Sequence, residues 1–317
     1  MKDNKMLRCD NSPARYLAAP TALMCLLLAQ GLAPGAKAQS IDTYIMVPLP
    51  ASTNVIEADG TYNSSNGFHY TNGQTLPSTS NDNYGAGLRY TRYMAIGDHP
   101  IAFQISQSAT YFADWQSGGY NEKNYPGMHT VSASNTNLSM LFWPYANAAE
   151  QAYVFTAAYL IPPDGSYAPN KVSAAYGGWQ GDAQIGMSKG FGPNFSLQAA
   201  IDADFHGDES LGGGTRLAID PTYRLQIWAN WDWSNGLRTS VGYTGVVGGA
   251  ENPYSTVNGP IPLDYTLLNA ERQNLRAAVS YWWTAHLMTS LEVSGTVQAD
   301  SGYTNTIGTE AKVKFLF

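Results

Sequence analysis

At 317 residues the chain allows one or two ordinary domains, yet Asp, Glu, Lys and Arg make up only 13% of it, about half the usual share. A formal charge of −7 and a pI near 5.1 remove the basic surface that nucleic-acid binding needs, which excludes DNA and RNA as partners. Hydrophobic residues stand at 44%, with 21 Tyr, 10 Phe and 31 Gly, so the scarcity of charge comes without apolar excess and points to alternating sequence.

The first residues read as an address. Lys2, Lys5, Arg8 and Arg15 precede the apolar run LAAPTALMCLLLAQGLA, which ends in Ala36-Lys37-Ala38, a small-x-small cleavage site, so residues 1–38 are expected to be a secretory signal peptide. Cleavage after Ala38 removes five basic and two acidic side chains and moves the formal charge from −7 to −10. Both cysteines, Cys9 and Cys25, leave with it, so disulfide and thiol chemistry are not expected. The next segment, Gln39 to Ser52, contains IDTYIMVPLP, which is too apolar for a free periplasmic tail. Its two closing prolines favour an extended segment, expected to plug the lumen or pack beneath it.

Beyond it no stretch approaches the roughly 20 apolar residues of a membrane helix, and strict alternation recurs instead. Twelve segments carry it: 53–62, 84–94, 101–115, 136–145, 151–161, 177–188, 194–206, 221–232, 237–248, 273–283, 287–298 and 307–317. In LMTSLEVSGTVQAD, Leu287, Leu291, Val293 and Val297 share one face while Ser290, Glu292, Ser294 and Gln298 share the other. Short turns follow the even-numbered segments and longer Ser-, Asn- and Gly-rich loops follow most odd-numbered ones, the asymmetry of periplasmic turns and outer loops. The expected fold is all-β: a transmembrane antiparallel β-barrel of about 12 strands over residues 39–317, in the bacterial outer membrane. A secreted β-sandwich is the soluble alternative, but its outer face would be polar.

Aromatic residues gather at segment ends. Trp143, Tyr145, Trp231, Trp233, Trp282 and Trp283 are expected in the girdle beside the short turns, and Tyr111, Trp115, Tyr159, Trp179 and Tyr303 in the one toward the long loops. The last segment, IGTEAKVKFLF, places Ala311, Val313, Phe315 and Phe317 outward and Glu310, Lys312 and Lys314 inward. Its terminal aromatics, Phe315 and Phe317, resemble the signal that the barrel-assembly machinery reads.

Four stretches carry a family likeness: DTYIMVPLPASTN at 42–54, YLIPPDGSY at 159–167, AIDPTYRLQIWANW at 218–231 and LNAERQNLRAAVSYWWTAHLMTSLEVSG at 268–295. Together they resemble the outer-membrane transporter family named for the meta-pathway of phenol degradation. Ala51-Ser52 stands where that family usually has a Pro-Gly-like turn. The resemblance implies a channel that admits small hydrophobic or aromatic compounds, with no catalysis and no cofactor; its surroundings would be outer-membrane lipid and lipopolysaccharide.

Polar side chains facing a lumen tune selectivity. The candidates are Asp182, Asp202, Asp204 and His206 on the middle segments, and Arg224, Arg238, Arg276, Glu292, Glu310, Lys312 and Lys314 on the later ones. They are expected either to set up a transverse field or to pair across neighbouring strands. Asp202, Asp204 and His206 do not suit a metal, because same-face neighbours lie roughly 6.6 Å apart and three span about 13 Å. Asp208 and Glu209 are expected in a solvated outer loop. Two rival functions are a hydrolase set in the barrel wall, which requires a nucleophile beside His206, and a structural barrel with a filled lumen.

Overall fold

The structure is a computed structural model that describes residues 46–69, 75–116, 129–167, 173–212, 215–233, 235–255, 259–260, 271–300 and 302–317. The expected signal peptide and residues 39–45 lie outside the described residues. No helix among the described residues is long and apolar enough to cross a membrane.

Among the described residues seventeen strands form two sheets. In chain order the first eight are β1 (Asn54–His69), β2 (Thr75–Ile96), β3 (His99–Gln116), β4 (Val131–Ala133), β5 (Asn137–Asn147), β6 (Ala152–Ile161), β7 (Gln180–Gly190) and β8 (Phe195–His206). The rest are β9 (Glu209–Gly212), β10 (Thr215–Ile219), β11 (Thr222–Asp232), β12 (Leu237–Gly248), β13 (Glu251–Ser255), β14 (Gly259–Pro260), β15 (Glu271–Trp282), β16 (Leu287–Asp300) and β17 (Gly302–Leu316).

Twelve of them, β1, β2, β3, β5, β6, β7, β8, β11, β12, β15, β16 and β17, pair antiparallel with their sequence neighbours, and β17 pairs back onto β1 to close the ring. At that seam the Asn54 amide donates to the Phe317 carbonyl at 2.8 Å and the Phe317 amide donates to the Asn54 carbonyl at 3.0 Å. Closure leaves the twelve-stranded ring without a free edge, the condition for spanning a bilayer with strands. The twelve alternating segments coincide with these twelve strands; the largest differences are at β1 and β2, which run on past Tyr62 and begin before Tyr84.

The alternation decides which face is which. On β11, Tyr223, Leu225, Ile227 and Trp231 are exposed, whereas Gln226, Trp228 and Asn230 between them are fully buried. On β16, Leu291, Val293 and Val297 are exposed, and Met288 on the opposite face is buried. An apolar exterior around a polar interior inverts the pattern of a soluble sandwich, and Ile185, Ile201, Val279, Ile307 and Phe315 continue the apolar band on other strands.

Wall height varies around the ring. β1, β2 and β3 have 16, 22 and 18 residues, whereas β5, β6 and β7 have 11, 10 and 11. Above the short side, β4 continues the sheet from β3. Beside it β9, β10, β13 and β14 form a separate four-stranded sheet in the loops that follow β8 and β12, and the Tyr167 hydroxyl of the loop after β6 donates to the Ser210 carbonyl of β9 at 2.9 Å. No alternating pattern announced it, because its strands are two to five residues long.

Candidate functional site in the barrel interior

The inward faces divide into two walls of different chemistry. One, on β2, β3, β5 and β6, carries an apolar cluster beside the polar Thr91, Gln104 and Ser139: Tyr93, Ala102, Leu141, Trp143, Phe155, Ala157 and Tyr159 are buried together, and the cluster also takes in Ala200 of β8 and Trp228 of β11. Tyr93 and Trp143 lie 6.0 Å apart by ring centroids, and Trp143 and Phe155 6.4 Å. Phe155 lies over Gly186 of the neighbouring strand, where an added Cβ would be 2.3 Å from the ring. Trp143 and Tyr159 correct the girdle expectation, since both point inward. The β5–β6 register shifts between Phe142 and Tyr145, so the two aromatics two residues apart end on different faces, Trp143 buried and Tyr145 exposed.

The segment ahead of β1 meets this wall. Met46 is fully buried in the same cluster, and the Trp143 indole Nε1–H donates to its carbonyl at 3.0 Å. Ser52, in the turn that leads into β1, has φ 75°, and its amide donates to the Tyr93 carbonyl at 2.9 Å. A non-glycine residue thus takes the left-handed conformation at the Ala51-Ser52 turn.

The other wall is charged and extensively paired. Arg276 donates from Nε and Nη2 to the two Glu292 oxygens at 2.8 and 2.9 Å. Its Nη1 reaches Gln226 at 3.3 Å and Thr244 at 3.4 Å, and the guanidinium lies 4.5 Å from the Trp228 ring centroid. Trp228 is held flat because Gly242 is its register partner on β12; an added Cβ there would sit 2.5 Å from the ring. Glu57 lies between Arg89 at 3.3 Å and Lys314 at 2.9 Å, Lys312 is 3.4 Å from Glu310, and Arg224 is 3.4 Å from Asp202. Near the short turns Arg238 makes a two-point pair with Asp232 at 2.6 and 2.7 Å. Bidentate geometry of this kind fixes orientation as well as charge.

Asp182, Asp202, Asp204 and His206 gather toward the long-loop end. Register sets Asp182 opposite Asp204, Gln184 opposite Asp202 and Gln180 opposite His206. Gln184 and Gln226 donate to Asp202 Oδ2 at 3.4 and 3.2 Å, and the Tyr159 hydroxyl donates to Gln184 Oε1 at 3.1 Å. Both oxygens of Asp182, and Oδ1 of Asp202 and of Asp204, are buried without a hydrogen-bond partner. His206 Nε2 is 3.7 Å from Asp204 Oδ2, its Nδ1 is 3.1 Å from Gln180 Nε2, and the Tyr176 ring is 5.8 Å away. A serine is not among these partners. Among the described residues no group of three or more His, Cys, Asp or Glu side chains could hold a metal ion.

The sequence candidates all lie on inward-facing positions, but reading charges alone missed Trp228, Gln226, Trp143 and Phe155. Inward parity on β5, β6 and β11 would have picked them out once the faces were assigned.

Loops cap the lower side of the mouth. Ala174 and Ala175 are buried, Asn135 Nδ2 donates to the Tyr176 carbonyl at 3.0 Å, and the Thr136 amide donates to Asp164 Oδ1 at 2.7 Å. That amide holds the Asp164 carboxyl below the usual carboxylate range. Glu209 corrects the solvated-loop expectation: it is buried, and burial pushes its carboxyl up against the opposing backbone hydrogen bond from Gly177. Asp208 remains exposed, accepting from the Tyr254 hydroxyl at 2.5 Å with Arg216 at 3.9 Å.

A closed twelve-stranded ring with an apolar exterior and a polar, ion-paired interior defines a transmembrane β-barrel of the outer-membrane type. Among solved structures, the chain is similar to the COG4313 outer membrane channel from Pseudomonas putida F1, with TM-score 0.76 and 15% identity over 88% of this chain and 100% of that one. Weaker likenesses are the KdgM porin (TM-score 0.41, 10% identity, 82% of this chain and 98% of that one) and a mutant of the TodX monoaromatic hydrocarbon channel (TM-score 0.42, 10% identity, 92% and 97%). No family model and no curated relative matches the chain.

Proposed function

We propose that the protein is an outer-membrane channel for small hydrophobic or aromatic compounds, of the kind implied by its resemblance to the transporter family of the phenol-degradation meta-pathway. The observation that carries the reading is the apolar interior wall. A lumen serving only ions and sugars has no use for Leu141, Trp143, Phe155 and Tyr93 packed along one side, whereas an apolar solute gains dispersion and desolvation energy there. The fold of the Pseudomonas putida channel is consistent with this reading. Outer-membrane lipid and lipopolysaccharide would surround the barrel, the assembly machinery would insert it, and the charged residues of the opposite wall would hold it in shape.

In this reading residues 39–52 act as a plug at the short-turn end, because Met46 occupies the space against Trp143 that a solute would cross. The test compares the mature chain with a form lacking residues 39–49, each reconstituted in planar bilayers and in liposomes. The truncated form is expected to conduct more and to admit a neutral aromatic such as toluene faster. A truncated barrel that neither conducts nor admits toluene would make this a structural barrel.

A further inference from the structure

The interior charges do not divide evenly. Glu57, Asp202, Glu292 and Glu310 each lie within ion-pair distance of an Arg or Lys side chain, and those cations are Arg89, Lys314, Arg224, Arg276 and Lys312. Asp204 reaches only His206, at 3.7 Å, and Asp182 has no ion pair among the described residues. Asp182 is 4% exposed and neither of its oxygens has a hydrogen-bond partner; Asp204 Oδ1, opposite it in the register, shares that condition. An ionised carboxylate removed from water is costly unless a charge-assisted donor reaches it.

We propose that Asp182 and Asp204 bind the ammonium group of an amphipathic amine whose apolar body lies along the neighbouring Tyr159 wall. The spacing selects this chemistry. Directly opposed residues on adjacent strands have Cβ atoms about 4.5–5.5 Å apart, so the two carboxylates face one site while remaining two separate groups. A divalent ion needs more oxygens at 2.0 to 2.6 Å than this pair supplies, and the described residues contain no such cage. An ammonium carries three N–H donors pointing in different directions and can bridge two carboxylates.

The second half of the ligand is set by β6. Tyr159 is the register partner of Asp182, and Ala157 and Phe155 follow it on the same buried face. The Tyr159 hydroxyl is turned to Gln184, which leaves its ring as apolar surface beside the carboxylates. A cation with an aromatic or alkyl body therefore meets both of its requirements across a single strand boundary, including a ring face for the cation itself. The site rests on the channel reading for its access from outside, and it extends the substrate class from neutral aromatics to amphipathic amines.

The test uses the full mature barrel folded in detergent and titrated calorimetrically with phenethylamine and with phenethyl alcohol, which share the apolar body and differ in charge. The amine is expected to bind about tenfold or more tightly, the effect of one hydrogen bond to a charged group. Asp182→Asn and Asp204→Asn are each expected to bring the amine down to the affinity of the alcohol, while Asp164→Asn in the outer loop leaves it unchanged. Equal binding of the two compounds by the wild type, absence of amine binding, or an unaltered preference in a folded Asp182→Asn barrel would overturn the proposal. Should the variants fail to fold, the wild-type comparison alone decides. Because binding is read without conduction, a barrel that carries no solute still reports on this site.

Discussion

Leu291 lies on the lipid side of β16, with Glu292 beside it on the lumen side, so the two neighbours test the assignment of faces. Leu291→Arg is expected to destabilise the barrel by about 2 to 4 kcal/mol, measured by urea unfolding in lipid, as for a cation near the bilayer midplane. Glu292 is no idle lumen residue, since it neutralises Arg276 through two short contacts. Arg276→Met is expected to cost about 3 to 5 kcal/mol in the same assay, because it strands a carboxylate largely shielded from water and removes the cation over Trp228. The sequence alone left Arg224, Arg238 and Arg276 either as a charged face toward the pathway or as members of cross-strand pairs. Their pairing with Asp202, Asp232 and Glu292 makes neutralisation of the three a stability lesion before it is a change in selectivity.

Strand β17 is where local chemistry becomes closure. Phe317 is about half exposed, its ring stacked 5.9 Å from Phe315, while its backbone completes the seam with Asn54. Phe317→Asp keeps those backbone bonds but removes the outward aromatic. The expected result is a smaller folded fraction on gels of outer-membrane preparations, with nearly unchanged unfolding of whatever does fold. In the loops, the Thr136 amide and Asp164 tie the start of β5 to the segment after β6. A carboxyl held below its unfolded value stabilises fully above that value, and the contribution is lost as pH falls through the folded one. Cleavage of the 162–167 loop by an acid-active protease is therefore expected to speed up on acidification in the wild type and to be fast at every pH in Asp164→Ala.

The twelve strands were legible because lipid outside and polar groups inside impose a period of two on every wall segment. Interior pairing was not, since which carboxylate meets which guanidinium depends on register between strands that can be far apart in the chain: Glu57 and Lys314 are joined only because β1 meets β17. Trp143 was misread for a related reason. It keeps the inward parity of Ser139 and Leu141, and the shift between Phe142 and Tyr145 turns only Tyr145 outward, a bulge that leaves no mark in a run of aromatics. Buried Glu209 was equally hidden, because its cover comes from the loop before β7.

For the molecule as a whole, closure through β1 and β17 makes unfolding one event: no strand leaves without opening the ring. Unheated protein in SDS is expected to run as a compact band that shifts to the full-length position on boiling; a single position under both conditions would count against a closed barrel. The uneven wall gives this closed ring a direction. At about 3.4 Å per residue, before tilt, a strand of β2's length outruns one of β6's by tens of ångströms. The ring of strands is therefore cut on a slant, like the nib of a quill, with its low lip at β5 to β7. On that side loops stand where strands stand on the other, and the exposed Leu160 and Trp179 mark the ends of the low strands, so a molecule drifting among the headgroups meets a different surface at each azimuth as well as at each depth.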